Sequence, residues 1–241
     1  MSCVQWLSRN VNNDISVLLN LLRIYTQPLF YKTAVVKSIE LTFHPVSQSA
    51  AIFYAECGQR DLVSLTCEQL TLIENLSADA AQSSLQQVCC KIEPRVLADV
   101  APNIIATSEK MKQHGVVLIV DVHERLSLAC NQVNPAVHNL SEHGVAVCLG
   151  GYEWERADKR KGYLTSGLYR YVRFANPPRY LHEANQFLDS CFELVEKSSC
   201  GLIIDRVQSR TQFEMVKMAP YHALKGDYLG RPRLLSNGID A

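Results

Sequence analysis

Charged side chains recur where apolar, strand-like runs end: Glu40, Lys91 with Glu93, Asp121 with Glu124, Arg173, Asp205 and Lys225. One such run, in "EHGVAVCLGGYEWE", ends instead on Gly150 and Gly151, which carry no side chains. Carboxylates converging at strand ends can hold divalent cations and activate water. A hard cation wants several oxygens at once, however, and here a lysine, an arginine and two glycines stand among the acids. The set is a poor metal site. It suits an internal ion network better, with Asp121 and Asp205 paired to Lys91, Arg173 or Arg206, because buried charges must be paired. His123, in "DVHE", is read as an imidazole hydrogen-bonded to backbone in preference to a metal ligand. Cys148 has apolar flanks and reads as a packed thiol, not a nucleophile. No nucleophile-base pair suggests another chemistry.

The elements that must position these residues alternate. Ala34 to Leu41, Val88 to Ile92, Val116 to Val122, Val145 to Leu149, Tyr171 to Phe174 and Gly201 to Ile204 read as strands, with a short last one near Ala223 and Leu224. "VVLIVDV" is the clearest, an apolar run suited to a strand covered on both faces. Val96 to His114 and Tyr180 to Glu196 repeat apolar residues at three-four spacing and read as helices, the second opening just after Pro177-Pro178. Repeated strand-helix units without a Gly-x-Gly-x-x-Gly fingerprint point to an α/β protein of the TIM-like (β/α) barrel type. Active residues then belong at the carboxyl ends of the strands.

Composition sets outer bounds. The 241 residues suffice for one large domain, placed at 1–232, with 233–241 as a loose tail. Lys plus Arg equals Asp plus Glu at 24 each, so no overall charge points to nucleic acid or a membrane surface. The run "RADKRK" at 156–161 is a local basic patch that a solvated helix turn explains equally well. Nine scattered cysteines, with no Cys-x-x-Cys pair, fit a reducing cytoplasm and no zinc site. No apolar stretch approaches the roughly 20 residues of a spanning helix, and the amino-terminal segment is broken by Asn10 to Asp14.

Taken in order, "YTQP" (25–28), "IELTFHP" (39–45), "DVHE" (121–124), "GGYE" (150–153), "YVRF" (171–174), "IDRVQS" (204–209) and "KGDYLGRP" (225–232) resemble the motifs of EAL domains, the cyclic di-GMP phosphodiesterases with a barrel fold. The resemblance runs from about residue 20 to 232. It implies that Glu40, in Glu40-Leu41-Thr42, is the family's metal-binding glutamate, and that the arginine expected a few residues later is missing near residue 43. An asparagine ligand is similar in position to Lys91, and a glutamate to Asp121, with Glu124 kept behind it. The paired metal-binding aspartates correspond to Gly150 and Gly151. The substrate-side lysine resembles Arg173, the catalytic glutamate Asp205, the glycine after it Arg206, and a late glutamine Lys225.

On that resemblance the chain is a degenerate EAL-like protein: not an enzyme, with no catalytic residue, no metal and no cofactor, its old site surviving as vestigial positions. The implied activity is regulation by protein binding. The best-known degenerate stand-alone EAL proteins of enteric bacteria bind the FlhD subunit of the flagellar activator FlhDC, and similarity to them makes FlhD the expected partner and repression of motility the expected outcome. A cyclic di-GMP receptor that binds without hydrolysis is the alternative. Its contacts would be Gln27, Arg173, Arg206 and Lys225, basic or amide groups able to meet phosphates. Loss of the metal bridge and of the arginine near residue 43 counts against it.

Overall fold

The computed structural model describes residues 21–32, 37–83, 85–123, 130–155 and 160–235. β1 (Leu22–Tyr31) and β2 (Lys37–Pro45) are antiparallel, with Gln27 opposite Glu40. From β2 the strands run parallel in sequence order through β3 (Leu85–Ile92), β4 (Val117–Val122), β5 (Ala146–Tyr152), β6 (Tyr171–Phe174), β7 (Gly201–Ile204) and β8 (Tyr221–Leu224). β1 also pairs with β8, so the ladder closes into a barrel. A short β9 (Arg233–Leu234) pairs with β1. The helices are α1 (Ala50–Glu56), α2 (Gln59–Ser83), α3 (Leu97–Gln113), α4 (Cys130–Glu142), α5 (Lys161–Leu164), α6 (Ala184–Lys197) and α7 (Arg210–Val216).

Two cores follow from the pleat. Successive side chains on a strand point to opposite faces, so β4 sends Leu118, Val120 and Val122 outward and Ile119 and Asp121 inward. The outward set joins one large core with the helices. α3 supplies Leu97, Val100, Ile104 and Met111 to it, at the spacing that puts them on one side of a helix. The inward set makes a second, smaller cluster: Leu29, Cys89, Ile119, Ala146, Cys148, Tyr171, Ile203 and Ala223. The barrel is therefore filled, and whatever lies above this plug is placed by it.

Several elements differ from the sequence-based expectation. The expected first strand, Ala34 to Leu41, is β2 and reaches Pro45; residues 33–36 lie outside the described residues. β1 has no counterpart in that expectation. Pro28 disfavours a strand, yet its place opposite Ile39 lets β1 close the barrel antiparallel to its neighbours. β5 does not stop at Leu149 but continues through both glycines to Tyr152, with a register irregularity against β6. The segment from Tyr180 opens with a 3-10 turn, Leu181–Glu183, before α6 begins. There the Glu183 carboxylate accepts from the backbone N–H groups of Arg179 and Tyr180 and holds the turn. Part of the expected tail is strand β9, and residues 236–241 lie outside the described set. Among the described residues no helix is long and apolar enough to cross a membrane.

Candidate functional site

Two residues beyond the apolar plug residue of each strand except β5, where Cys148 leads to Gly150, stands a polar residue on the same inward face. Cys89 leads to Lys91, Ile119 to Asp121, Tyr171 to Arg173, Ile203 to Asp205 and Ala223 to Lys225; antiparallel β1 runs from Leu29 to Gln27. Period-two alternation thus lifts one polar layer to the carboxyl mouth of the barrel. The parallel ladder sets Lys91 beside Asp121, and Glu40 sits beside Cys89 on the other side.

Arg173 is the centre of that layer and only 2 % exposed. Its Nη1 donates to Glu40 Oε2 at 2.5 Å and to Asp205 Oδ2 at 3.4 Å. Its Nη2 donates to Cys89 Sγ at 3.2 Å. Nε lies 3.2 Å from Asp121 Oδ2, too poorly aligned for a hydrogen bond, so charge alone holds Asp121 there. Lys225 Nζ completes the network, 3.0 Å from Glu40 Oε2 and 3.3 Å from Asp205 Oδ1. Three carboxylates from three strands are thereby set against two buried cations.

The acids respond differently. Burial pushes the Glu40 carboxyl up, but Arg173, Lys225 and Lys91 together more than offset it and hold the group well below the usual carboxylate range. For Asp121 burial prevails over the attraction of Arg173 and Lys91, and its carboxyl lies above the ordinary value. Burial would lower Arg173, yet Asp121 and Glu40 raise it well beyond the normal guanidinium. Lys225 is likewise raised, Glu40 overcoming its desolvation. Burial drives the thiol of Cys148 far above its ordinary value, so it is a packed side chain.

The glycine pair now has a local cause. A Cβ on Gly150 would stand 2.2 Å from Asp121 Oδ1, and one on Gly151 would stand 2.1 Å from His123 Cε1. Gly151 also has φ +63°, a conformation side-chain-bearing residues avoid. The Asp121 carboxylate and the His123 ring occupy the space that side chains here would need. From the other side, Arg160 Nη1 donates to the Gly150 carbonyl at 3.0 Å and Nη2 to the Gly151 carbonyl at 2.8 Å. Arg160 is buried, although the sequence placed it in the "RADKRK" run read as a solvated turn. Nothing in the linear pattern marks its partners, which are backbone carbonyls brought close by the bend after β5. Residues 156–159 of that run are outside the described set.

Other expected residues sit at the rim. The Lys91 side chain is 48 % exposed and its Nζ is 4.0 Å from Glu40 Oε1, a loose contact. Glu93 pairs with Arg95 at 3.2 Å, away from the network; Glu124 is outside the described residues. Arg206 adopts φ 61°, its backbone N–H caps Asp205 Oδ1 at 2.7 Å, and its side chain turns to Asn176 Oδ1 at 3.2 Å. Its guanidinium therefore stays out of the interior network the sequence had offered it. Gln27 is buried and donates to Asp227 Oδ1 at 3.2 Å and to the Gly230 carbonyl at 2.9 Å, tying β1 to the loop after β8.

The resemblance to EAL domains implies two divalent cations, and the residues present do not fit them. Glu40, Asp121 and Asp205 already face a guanidinium and an ammonium in the same buried space. A cation entering it would meet like charge at about 3 Å, with the β5 position supplying no oxygen-bearing side chain. Among the described residues no group of three or more His, Cys, Asp or Glu side chains is arranged to hold a metal ion.

No protein-family model matches the sequence, and no curated protein sequence is significantly similar to it. Solved structures are. The FimX EAL domain superposes with a TM-score of 0.73 at 15 % identity, covering 95 % of this chain and 99 % of that one. The EAL-like domain protein YdiV gives 0.68 at 16 % identity, over 88 % of this chain and 92 % of that one. The chain has the EAL-domain fold. The same match extends to the PaMucR phosphodiesterase in its c-di-GMP complex, with a TM-score of 0.63, 14 % identity, and 89 % and 97 % of the two chains covered. At these identities the likeness is one of architecture, and what the site does has to be argued from its own side chains.

Proposed function

We propose that this EAL-fold protein is a non-catalytic, cytoplasmic regulator that acts by binding another protein. The observation that carries the reading is Arg173 with Lys225: two side chains of the chain itself neutralise Glu40, Asp121 and Asp205. Two-metal phosphodiester hydrolysis needs carboxylates free to hold both ions and to activate water between them. Here the same acids are committed to structure. Arg173 and Lys225, which could otherwise meet a phosphate, are committed equally.

The partner proposed is FlhD of the flagellar activator FlhDC, with repression of motility as the consequence. Support comes from the EAL fold shared with YdiV and from the EAL-like degenerate pattern of the sequence. The test is titration of purified FlhD and FlhDC into the protein by calorimetry, with and without cyclic di-GMP, alongside release of FlhDC from promoter DNA. Binding that is indifferent to the nucleotide supports the reading. Absence of binding removes FlhD as the partner, and binding of cyclic di-GMP alone moves the assignment to a nucleotide receptor.

A further inference from the structure

The chain has no net charge, yet one half of the barrel mouth is rich in exposed bases. In the closed strand order β2-β3-β4-β5-β6-β7-β8-β1, the half centred on β1 carries exposed Lys91 near the end of β3, Arg206 and Arg210 after β7, Arg231 after β8, and Arg23 on β1. Strand alternation places Arg23 on the face of Gln27, opposite His44. Of the carboxylates on this half, Glu93 is paired with Arg95, while Asp227 accepts a hydrogen bond from the neutral Gln27 amide. Exposed Glu153 and Glu155 follow β5, which lies directly across the barrel from β1, and the basic run at 156–161 comes directly after them in sequence. Among the described residues Arg206 makes no ion pair, its guanidinium reaching only the neutral Asn176 amide.

We propose that this basic crescent is the docking face and that its occupant is an acidic segment of a partner protein. The inference rests on the protein-binding reading above and adds its face and its chemistry. A compact anion that had to enter the barrel would find Arg173 and Lys225 consumed by Glu40, Asp121 and Asp205. An extended acidic segment lying across the rim needs neither. It meets Lys91, Arg206 and Arg231 in turn and can use the open pocket lined by Gln208, Asp227, Tyr228 and Arg231, where the Tyr228 side chain is available for packing. Duplex nucleic acid is disfavoured by the neutral whole.

The test is fluorescence anisotropy of a fluorescein-labelled, Glu- and Asp-rich 15-residue peptide against wild type, Lys91→Glu/Arg206→Glu/Arg231→Glu and, as a distal control, Lys112→Glu. The expected result is binding that the triple variant and 300 mM salt each weaken by about tenfold or more, with the control unchanged. Equal affinity of the triple variant overturns the proposal, as does binding of cyclic di-GMP or a 20-base-pair duplex without binding of the peptide. FlhD serves as a separate arm. If FlhD binds and the triple variant leaves its affinity unchanged, the docking face is refuted while the proposed function stands. If the peptide binds and FlhD does not, the partner is wrong and the face is right.

Discussion

Replacing Arg173 by alanine removes the cation that meets Glu40, Asp121 and Asp205 at once. Lys225 would still face Glu40 and Asp205, but Asp121 would keep only the attraction of the half-exposed Lys91. Removing one partner of a buried ion pair costs about 3–5 kcal/mol, because the remaining charge is stranded out of water. For a chain of this size that lowers the melting temperature by about 6–20 °C. The pH dependence carries a sign that a simple packing loss lacks. In the wild type the depressed Glu40 carboxyl contributes stability that is present above the unfolded carboxylate range and is lost as pH falls through its folded value. Without Arg173 the Glu40 and Asp121 carboxyls each lose their strongest attraction, and both folded values rise. Groups raised in this way contribute stability below the unfolded pKa and lose it as pH rises. The gap between wild type and Arg173→Ala should therefore be widest near pH 8 and narrower near pH 4.5. Adding Asp121→Asn to Arg173→Ala should recover part of the loss in a double-mutant cycle. Calorimetric melts of the four proteins across that pH range decide it: a gap that does not change with pH, or additive single effects, would show that Arg173 acts by its bulk and not its charge.

Three further outcomes are expected. Gly150→Ala drives a methyl group into Asp121 Oδ1 and should cost about 1–3 kcal/mol by denaturant titration, whereas a neutral effect would mean the carboxylate swings away freely. Restoring carboxylates in Gly150→Asp/Gly151→Asp should give no hydrolysis of cyclic di-GMP with Mg2+ or Mn2+, followed by chromatography of the products; turnover would show that Arg173 and Lys225 yield to the ions. Arg206→Gly relieves a non-glycine residue at φ 61° and should raise stability by about 1 kcal/mol, and a lower melting temperature would mean that the Asn176 contact outweighs the strain.

The charged layer was legible in the sequence because it depends on a two-residue period. Apolar runs mark the strands, and the first charged residue on the inward face of each, such as Asp121 or Arg173, falls at a countable distance from the plug. The fold class followed from the same repeats. Pairing within the layer was less accessible: Arg206 was expected among the interior cations, whereas Lys225 was expected as a phosphate contact and instead bonds Glu40. These two residues are 185 apart in sequence. What brings them together is closure of the barrel through β1, the strand whose Pro28 hid it and whose antiparallel course no parallel-repeat pattern announces. The glycine pair shows the same division. Its position at a strand end could be counted; its cause lies in Asp121 and His123 of the neighbouring strand, where Asp121 pairs with Cys148 two residues before Gly150. Asp121, one methylene shorter than the glutamate the resemblance implies, sits over Gly150, so the missing β5 side chain and the inward carboxylate form one packing solution. Changing either alone should therefore disturb the other. On this reading the bare glycine pair and the capture of Asp121 by Arg173 belong to the same layer, and no single substitution would create a cation site.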